Sequence, residues 1–361
     1  MEPEILFDRT GALARITLNR PQALNALTLE MVQALDAKLL EWDAEDDVGA
    51  VLIRGAPRAD GKTSFCAGGD LPPFYEERDD PEHGYGRRFY WNEYRMNRRI
   101  FRFPKPYVAL VDGVVMGGGV GVSVHGSHRV VSERVLFAMP ETGIGLFPDV
   151  GGSHFLPRCP GRIGVYLALT GTRLRAADVL YAGFATAHVP SASLEALQSA
   201  LADADFSSDA RAAVDAVIAK FSNHPGEAPL ESQRAAIDRC FAGSSVEAIV
   251  AALKRESGVW AEALLETLGT KSPTSLKIAQ RQMAEGARLD FESAMRLEYR
   301  LARRFLEGHD FYEGIRAVIL EKDNQPRWRP ARIEEVDEAL VASYFAPLPD
   351  GELSYDEPIS R

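Results

Sequence analysis

The chain has 361 residues, 46% of them hydrophobic and 26% charged, enough for a sizeable core in one large domain or a domain with an appended lobe. Its net charge of −11 argues against general nucleic-acid binding, which needs clustered Lys and Arg, although a local basic patch can still hold an anionic ligand. Cys66, Cys159 and Cys240 form no CxxC and no even framework, which argues against disulfides and structural zinc. No segment reaches the roughly 18 uninterrupted apolar residues of a membrane span, and the N-terminus lacks a basic-then-apolar leader. The expectation is therefore a cytoplasmic protein that neither crosses a membrane nor binds nucleic acid.

In chain order, residues 4–20 predict a β-hairpin turning at Asp8-Arg9-Thr10-Gly11. Thr28 is an N-cap candidate for a helix carrying Met31, Leu35 and Leu39 at helical spacing. Val48 to Arg54 predicts a strand, followed by the small, glycine-rich stretch Ser64 to Leu71. Residues 72–103 are dense in charges and aromatics and predict a mobile surface loop leading into a helix with Glu93, Met96 and Ile100. Lys105 to Val111 predicts an apolar strand running directly into the triplet Gly117-Gly118-Gly119, and Arg129–Val131 and Val135–Met139 predict two more strands. Such strand–strand–helix units indicate an α/β fold with buried parallel strands.

From Gly161 the pattern turns helical over Ile163–Thr170, Ala176–Ala182 and Leu194–Ala202, whereas residues 203–228 are polar and loop-like. Pro225-Gly226 predicts a lobe boundary, giving a core over 1–224, a helical region over 225–346 and a fraying tail over 347–361. Ser272-Pro273 has the form of an N-cap with proline at the first helical position. Phe291, Ala294, Leu297, Leu301 and Phe305 form an apolar stripe.

The chemistry concentrates between Asp112 and Gly152. A glycine triplet at a strand-to-helix junction leaves backbone N–H groups uncovered at the positive end of the helix dipole, a setting that suits a developing oxyanion. Glu141 after Pro140 and Asp149 before Gly151-Gly152 are carboxylates in otherwise apolar sequence.

These residues, with Leu18 to Leu27, Phe65-Cys66-Ala67-Gly68-Gly69-Asp70, Ser272 to Lys277 and Asp310 to Arg316, resemble the crotonase (enoyl-CoA hydratase/isomerase) superfamily. Within it, the Leu146-Phe147-Pro148-Asp149-Val150-Gly151-Gly152 form and the added helical stretch are similar to the thioester-hydrolase branch. The resemblance implies a crotonase-like (ClpP/crotonase) superhelix of ββα units with a C-terminal helical lobe. It implies an acyl-CoA substrate, with CoA part of that substrate and no separate cofactor or metal, and it leaves a homo-oligomer open. By resemblance, the backbone N–H groups of Gly69 and Gly118 form an oxyanion hole, Glu141 is the catalytic carboxylate and Asp149 the second acid. Glu93 contacts the substrate, and the CoA lies along Lys62 to Ala67, with Lys62 and Arg20 as candidate basic groups. The implied reaction is hydrolysis of 3-hydroxyisobutyryl-CoA, or a related short 3-hydroxyacyl-CoA, a step of valine breakdown. Where a hydratase carries the first of its two glutamates this chain has Gly121, which weighs against enoyl-CoA hydration, the first alternative. A non-catalytic CoA-ester-binding protein is the second.

Each residue also has a plainer reading. Glu141 can serve as a first-turn carboxylate facing a helix dipole, Asp149 as a turn residue, and Glu93 as a member of a solvated salt bridge. His125 and His128 suit packing or hydrogen bonding better than metal ligation, and Cys66 suits a small buried filler.

Overall fold

The computed structural model describes residues 2–355, so the end of the 347–361 tail lies outside the described residues. The chain forms two compact units that interleave along the sequence. The first takes in residues up to Gly69, then Arg95–Ala138 and Arg173–Glu231; the second takes in Asp70–Tyr94, Met139–Thr172 and the described residues from Ser232 onward. The expected division at 224/225 is thus not the one the fold makes, because segments distant along the chain share each core.

The first unit is built on two sheets. Strands β1 (Ile5–Thr10) and β2 (Leu13–Leu18) pair antiparallel as the predicted hairpin. They continue into parallel β3 (Ala50–Gly55). The short β4 (Ser64–Cys66) comes next in the chain, before β5 (Tyr107–Val111). After β5 come β6 (Val114–Met116), β7 (His128–Val131), β8 (Leu136–Ala138) and β9 (Ala187–His188). The six-stranded sheet has the order β1-β2-β3-β5-β7-β9, and β4-β6-β8 form a separate parallel sheet. The strand from Lys105 therefore does not run straight into the glycine triplet. At Asp112-Gly113 the chain leaves the larger sheet and makes β6 in the smaller one. Only glycine fits that step: Gly113 has φ +96°, and a Cβ there would overlap the Thr63 carbonyl.

Burial explains the near-continuous apolar strands. Ala50 and Leu52, Val108 and Leu110 alternate along their strands and pack on one side against Leu197, Leu201, Val214 and Ile218. The last two lie on the helix Ala210–Phe221, inside the stretch expected to be loop. Asp209 caps that helix by accepting from the Ala212 N–H, and its apolar residues recur every three to four positions within charged sequence. Thr28 caps the helix Leu29–Ala44 as predicted, accepting from Met31 N at 3.2 Å. Lys105 closes the other end of that helix, donating to the carbonyls of Trp42 and Glu45 at 2.6 Å each.

In the second unit the aromatic stretch after Asp70 is packed rather than mobile. Pro72–Glu76 and the start of Gly84–Arg102 are helical, and Phe74, Phe89, Tyr90 and Tyr94 are buried. Phe74 meets the rings of Tyr85, Phe89, Tyr90 and Phe311 at 5.1–5.6 Å. Ser272 caps the helix Pro273–Gly286, and its hydroxyl donates to Asp310 at 2.6 Å. The Phe291–Leu306 helix buries its predicted stripe. The described part of the tail is docked: Leu348 and Leu353 are buried, Arg303 pairs with Asp350 at 2.6 Å and Arg300 with Glu352 at 2.8 Å.

Backbone meets backbone where the Glu141–Ile144 turn lies on the helix Asp310–Ile315. A Cβ on Gly145 would overlap the Asp310 carbonyl, and one on Gly314 the Ile144 carbonyl. Neither neighbour can swing aside as a side chain could. Gly314→Ala should therefore lower unfolding stability by about 1–3 kcal/mol. Gly269→Ala, where a Cβ meets open space at a helix end, should change it by less than about 1 kcal/mol. Urea titration of both variants checks this; equal midpoints would show that the turn has room to move.

Candidate active site

Two constellations carry the predicted chemistry, one in each unit. In the first, β4 ends at Cys66 and the chain turns through Ala67-Gly68-Gly69. The turn is clasped from one side by residues 24–27: Ala67 N donates to Leu24 O at 3.0 Å, and Leu27 N to Gly68 O at 2.8 Å. That clasp is itself unusual, with Leu24 and Asn25 both left-handed at φ 54° and 58°. The fully buried Asn25 side chain holds it. Asn25 Nδ2 donates to the carbonyls of Ala56 at 3.0 Å and Ser64 at 2.8 Å, while Oδ1 accepts from Arg20 N at 3.0 Å.

On its other side β4 pairs with β6, which ends at Met116; Gly117 (φ 46°) then opens the short helix Gly118–Gly121. A Cβ on Gly68 would lie 3.4 Å from Met116 O and 3.7 Å from Gly118 N, and one on Gly119 would overlap the Cys66 carbonyl. The Gly68-Gly69 turn and the triplet thus meet at the ends of neighbouring parallel strands. Gly118 stands at the first helical position, where its N–H has no partner within the helix. Among the described residues neither the Gly69 nor the Gly118 N–H donates to a backbone carbonyl. Two amides without a backbone partner at one sheet end can bind an oxyanion.

The second unit gathers carboxyl groups. Glu93, Glu141 and Asp149 are 2%, 4% and 5% exposed, and a fourth, Glu298, is 0% exposed. Glu141 opens a 3-10 turn behind Pro140, and its Oε2 is buried without a hydrogen-bond partner, as is Glu93 Oε1. Asp149 accepts from the Tyr94 hydroxyl at 2.9 Å. Burial drives all four toward the neutral acid. Glu141 and Glu93 are held well above the usual carboxylate range by burial and by the nearby Asp149, and Lys271 partly offsets this for Glu141. Asp149 is pushed up to about 7 by burial, with the Tyr94 hydrogen bond working against the rise, and Glu298 is pushed up to about 8, again mainly by burial. Perturbed carboxyl groups of this kind, with Asp149 and Glu298 drawn toward neutral pH, suit a general acid–base site.

The remaining predicted residues belong to the first unit. The Lys62 side chain is 80% exposed with Asp60 at 3.9 Å, available to an anion in solution. Arg20 is already engaged, pairing with Glu4 at 2.9 Å and donating to the Ala26 carbonyl at 2.8 Å. His128 is tied to Asp215 at 3.1 Å and Ser127 at 2.8 Å, and no group of three His, Cys, Asp or Glu among the described residues could hold a metal ion. Cys66 is buried. Sequence reasoning missed Asn25, Tyr94 and Glu298. Only Glu298 left a trace there: it is a carboxylate at the spacing of the Ala294–Leu301 stripe, on a face otherwise apolar.

A family model described as enoyl-CoA hydratase/isomerase matches residues 13–345. Among curated relatives, "3-hydroxyisobutyryl-CoA hydrolase, mitochondrial" of Danio rerio is 45% identical over 354 residues, covering 97% of this chain and 91% of the relative. The Homo sapiens protein of the same name is 40% identical over 360 residues, covering 98% and 91%. Among solved structures, a carnitinyl-CoA dehydratase from Mycobacterium thermoresistibile superposes with a TM-score of 0.91 at 40% identity, covering 99% of this chain and 100% of that one. An enoyl-CoA hydratase from Rhodobacter sphaeroides gives 0.88 at 41%, covering 98% and 100%. These bear out the expected crotonase-like α/β fold. The relatives' names overturn the expected cytoplasmic location, since they are mitochondrial proteins. Among the described residues no helix is long and apolar enough to cross a membrane.

The buried acids give stability a pH dependence of known sign. Asp149 titrates at about 7 in the folded protein against 3.8 for an unperturbed group. Its neutral form therefore favours the fold, fully below the lower value, and this contribution is lost as pH rises through the higher one. Asp149→Asn stays neutral throughout. From roughly pH 5 to 8 the difference in melting temperature between variant and wild type should shift in favour of the variant. A constant difference would mean that Asp149 is ionised across the whole range.

Proposed function

The chain belongs to the enoyl-CoA hydratase/isomerase family, and from that premise we propose that it hydrolyses 3-hydroxyisobutyryl-CoA to 3-hydroxyisobutyrate and free CoA, a step of valine breakdown. The relatives that share 40–45% of its sequence carry the name of that hydrolase. The two solved structures at similar identity are titled as a dehydratase and a hydratase, so the site must decide between them.

The observation that carries the hydrolase reading is the identity of residue 121. Hydration across a double bond uses two carboxylates around one water. The first of that pair is replaced by Gly121, which is buried and offers no side chain. Hydrolysis of a thioester needs one carboxyl group at the carbonyl carbon and a proton source for the departing sulfur, which Glu141 and Asp149 can supply.

In the proposed reaction the thioester oxygen accepts hydrogen bonds from the N–H groups of Gly69 and Gly118. Each donor is worth about 3 kcal/mol as charge builds on that oxygen. Glu141 acts in its ionised form, by one of two routes. Either its oxygen bonds to the carbonyl carbon and the C–S bond breaks, leaving a mixed anhydride that water then cleaves, or it takes a proton from a water that attacks directly. Both consume one water and release the acid and CoA thiol. Asp149 holds the 3-hydroxyl of the substrate and returns a proton to the leaving thiolate, and Glu93 contacts the same hydroxyl end. The CoA portion lies along Lys62 to Ala67, where the exposed Lys62 ammonium meets phosphate.

Free-thiol release tests this directly. Wild type should release thiol from 3-hydroxyisobutyryl-CoA and leave crotonyl-CoA unhydrated; the reverse would establish the hydratase reading. Glu141→Gln should lower kcat by at least about 100-fold, the general acid–base contribution. Unchanged turnover would remove Glu141 from the chemistry. Asp149→Asn should cut kcat/KM more for the 3-hydroxy ester than for isobutyryl-CoA, and equal losses would show that Asp149 does not read the hydroxyl.

A further inference from the structure

Glu298 has no part in the mechanism above, yet its hydrogen bonds end on the turn that carries Asp149. That turn is held in a conformation it would not keep alone. Val150, immediately after Asp149, has φ 50°, an outlier for a β-branched residue, and Gly151 follows at φ 91°. Glu298 Oε2 accepts from Gly151 N and Oε1 from Ser153 N, both at 2.7 Å. Gln282, from the Pro273–Gly286 helix, grips the same turn elsewhere. Its Nε2 donates to Pro148 O at 2.6 Å and to Ser153 Oγ at 2.8 Å. The backbone on both sides of Asp149 is therefore anchored to buried side chains of two helices, and the Asp149 carboxyl itself is held by Tyr94.

A carboxylate on the apolar face of the Phe291–Leu306 helix needs a reason to be there. Burying it without compensation would cost several kcal/mol, and an apolar residue would pack the stripe more simply. Two parallel N–H donors, one to each oxygen, match a carboxylate and no other side chain of that length. A glutamine would keep one acceptor and turn an NH2 group toward the other N–H.

We propose that Glu298 is a positioning residue for Asp149, bracing the strained 149–153 turn so that the Asp149 carboxyl is presented in its working orientation. This rests on the proposed role of Asp149 in thioester hydrolysis. A brace of this kind acts only through the group it holds, whereas a residue that merely supports the core affects every background alike.

A double-mutant cycle separates the two. Glu298→Gln should lower kcat/KM for the 3-hydroxy ester by about 10- to 100-fold in wild type, as expected for turning an NH2 group toward a backbone N–H and misplacing the turn it holds. In an Asp149→Asn background the same substitution should cost less than about 3-fold. Equal losses in both backgrounds overturn the proposal. Amide hydrogen exchange gives a readout independent of activity. Gly151 and Ser153 should lose protection in Glu298→Gln while amides of the helix Ile163–Thr170 keep theirs. Unchanged protection at Gly151 and Ser153 also overturns it. Should wild type release no thiol from the hydroxy ester, the hydrolase reading fails, and the exchange result still decides whether Glu298 braces the turn.

Discussion

The second unit is organised around a costly arrangement: four carboxyl groups buried close enough to raise one another's pKa. In water such groups ionise separately, and inside a protein they compete for few charges. The structure meets this by giving each a different environment. Glu298 receives two backbone N–H groups, Asp149 a phenol, and Glu141 the distant influence of Lys271. Oxygens of Glu93 and Glu141 are left without partners. An unsatisfied buried oxygen is expensive, and in the proposed reaction the substrate or its water completes these two. The glycine contacts beneath Glu141 follow from the same constraint. Direct backbone packing at Gly145 and Gly314 gives the turn a rigid floor.

The first unit follows a different logic, in which side chains are removed rather than collected. Asn25 does the work of a small strand, donating to the carbonyls of Ala56 and Ser64. In doing so it fixes the residues that hold the Gly68-Gly69 turn against the end of β6. The opening glycine triplet is matched to this neighbour, since a Cβ on Gly119 would strike the Cys66 carbonyl.

Much of this was legible in the sequence because short-range rules apply at the places concerned. Thr28 and Ser272 cap helices by bonding three residues ahead, and the hairpin and apolar strands declare themselves by period. Glu141 and Asp149 stood out as carboxylates within ordered motifs and Glu93 only by resemblance, and all three are buried in the second unit. What stayed hidden depends on distant partners. The helix Ala210–Phe221 looked like loop because only three of its residues pack on the sheet, and Arg211, Asp215 and Lys220 are interspersed with them. The aromatic segment after Asp70 looked mobile because its rings find Phe311 more than two hundred positions later. Glu298 showed only as a carboxylate in an apolar stripe, and its role stayed hidden because its partners, Gly151 and Ser153, are backbone amides 147 and 145 residues away.

The interleaving of the two units bears on how the chain emerges from the ribosome. The six-stranded sheet receives its last strand, β9, only at Ala187–His188, and the helices that cover its face come later still. By then the segments Asp70–Tyr94 and Met139–Thr172 have already been synthesised, while most of their partners, from Ser232 onward, have not. Apolar rings such as Phe74 and Phe147 must wait, uncovered, for a distant part of the message to be read. The first unit has all its segments once Glu231 is made, but the second cannot be completed until its C-terminal helices arrive, and the nascent chain is expected to depend on holding chaperones until then.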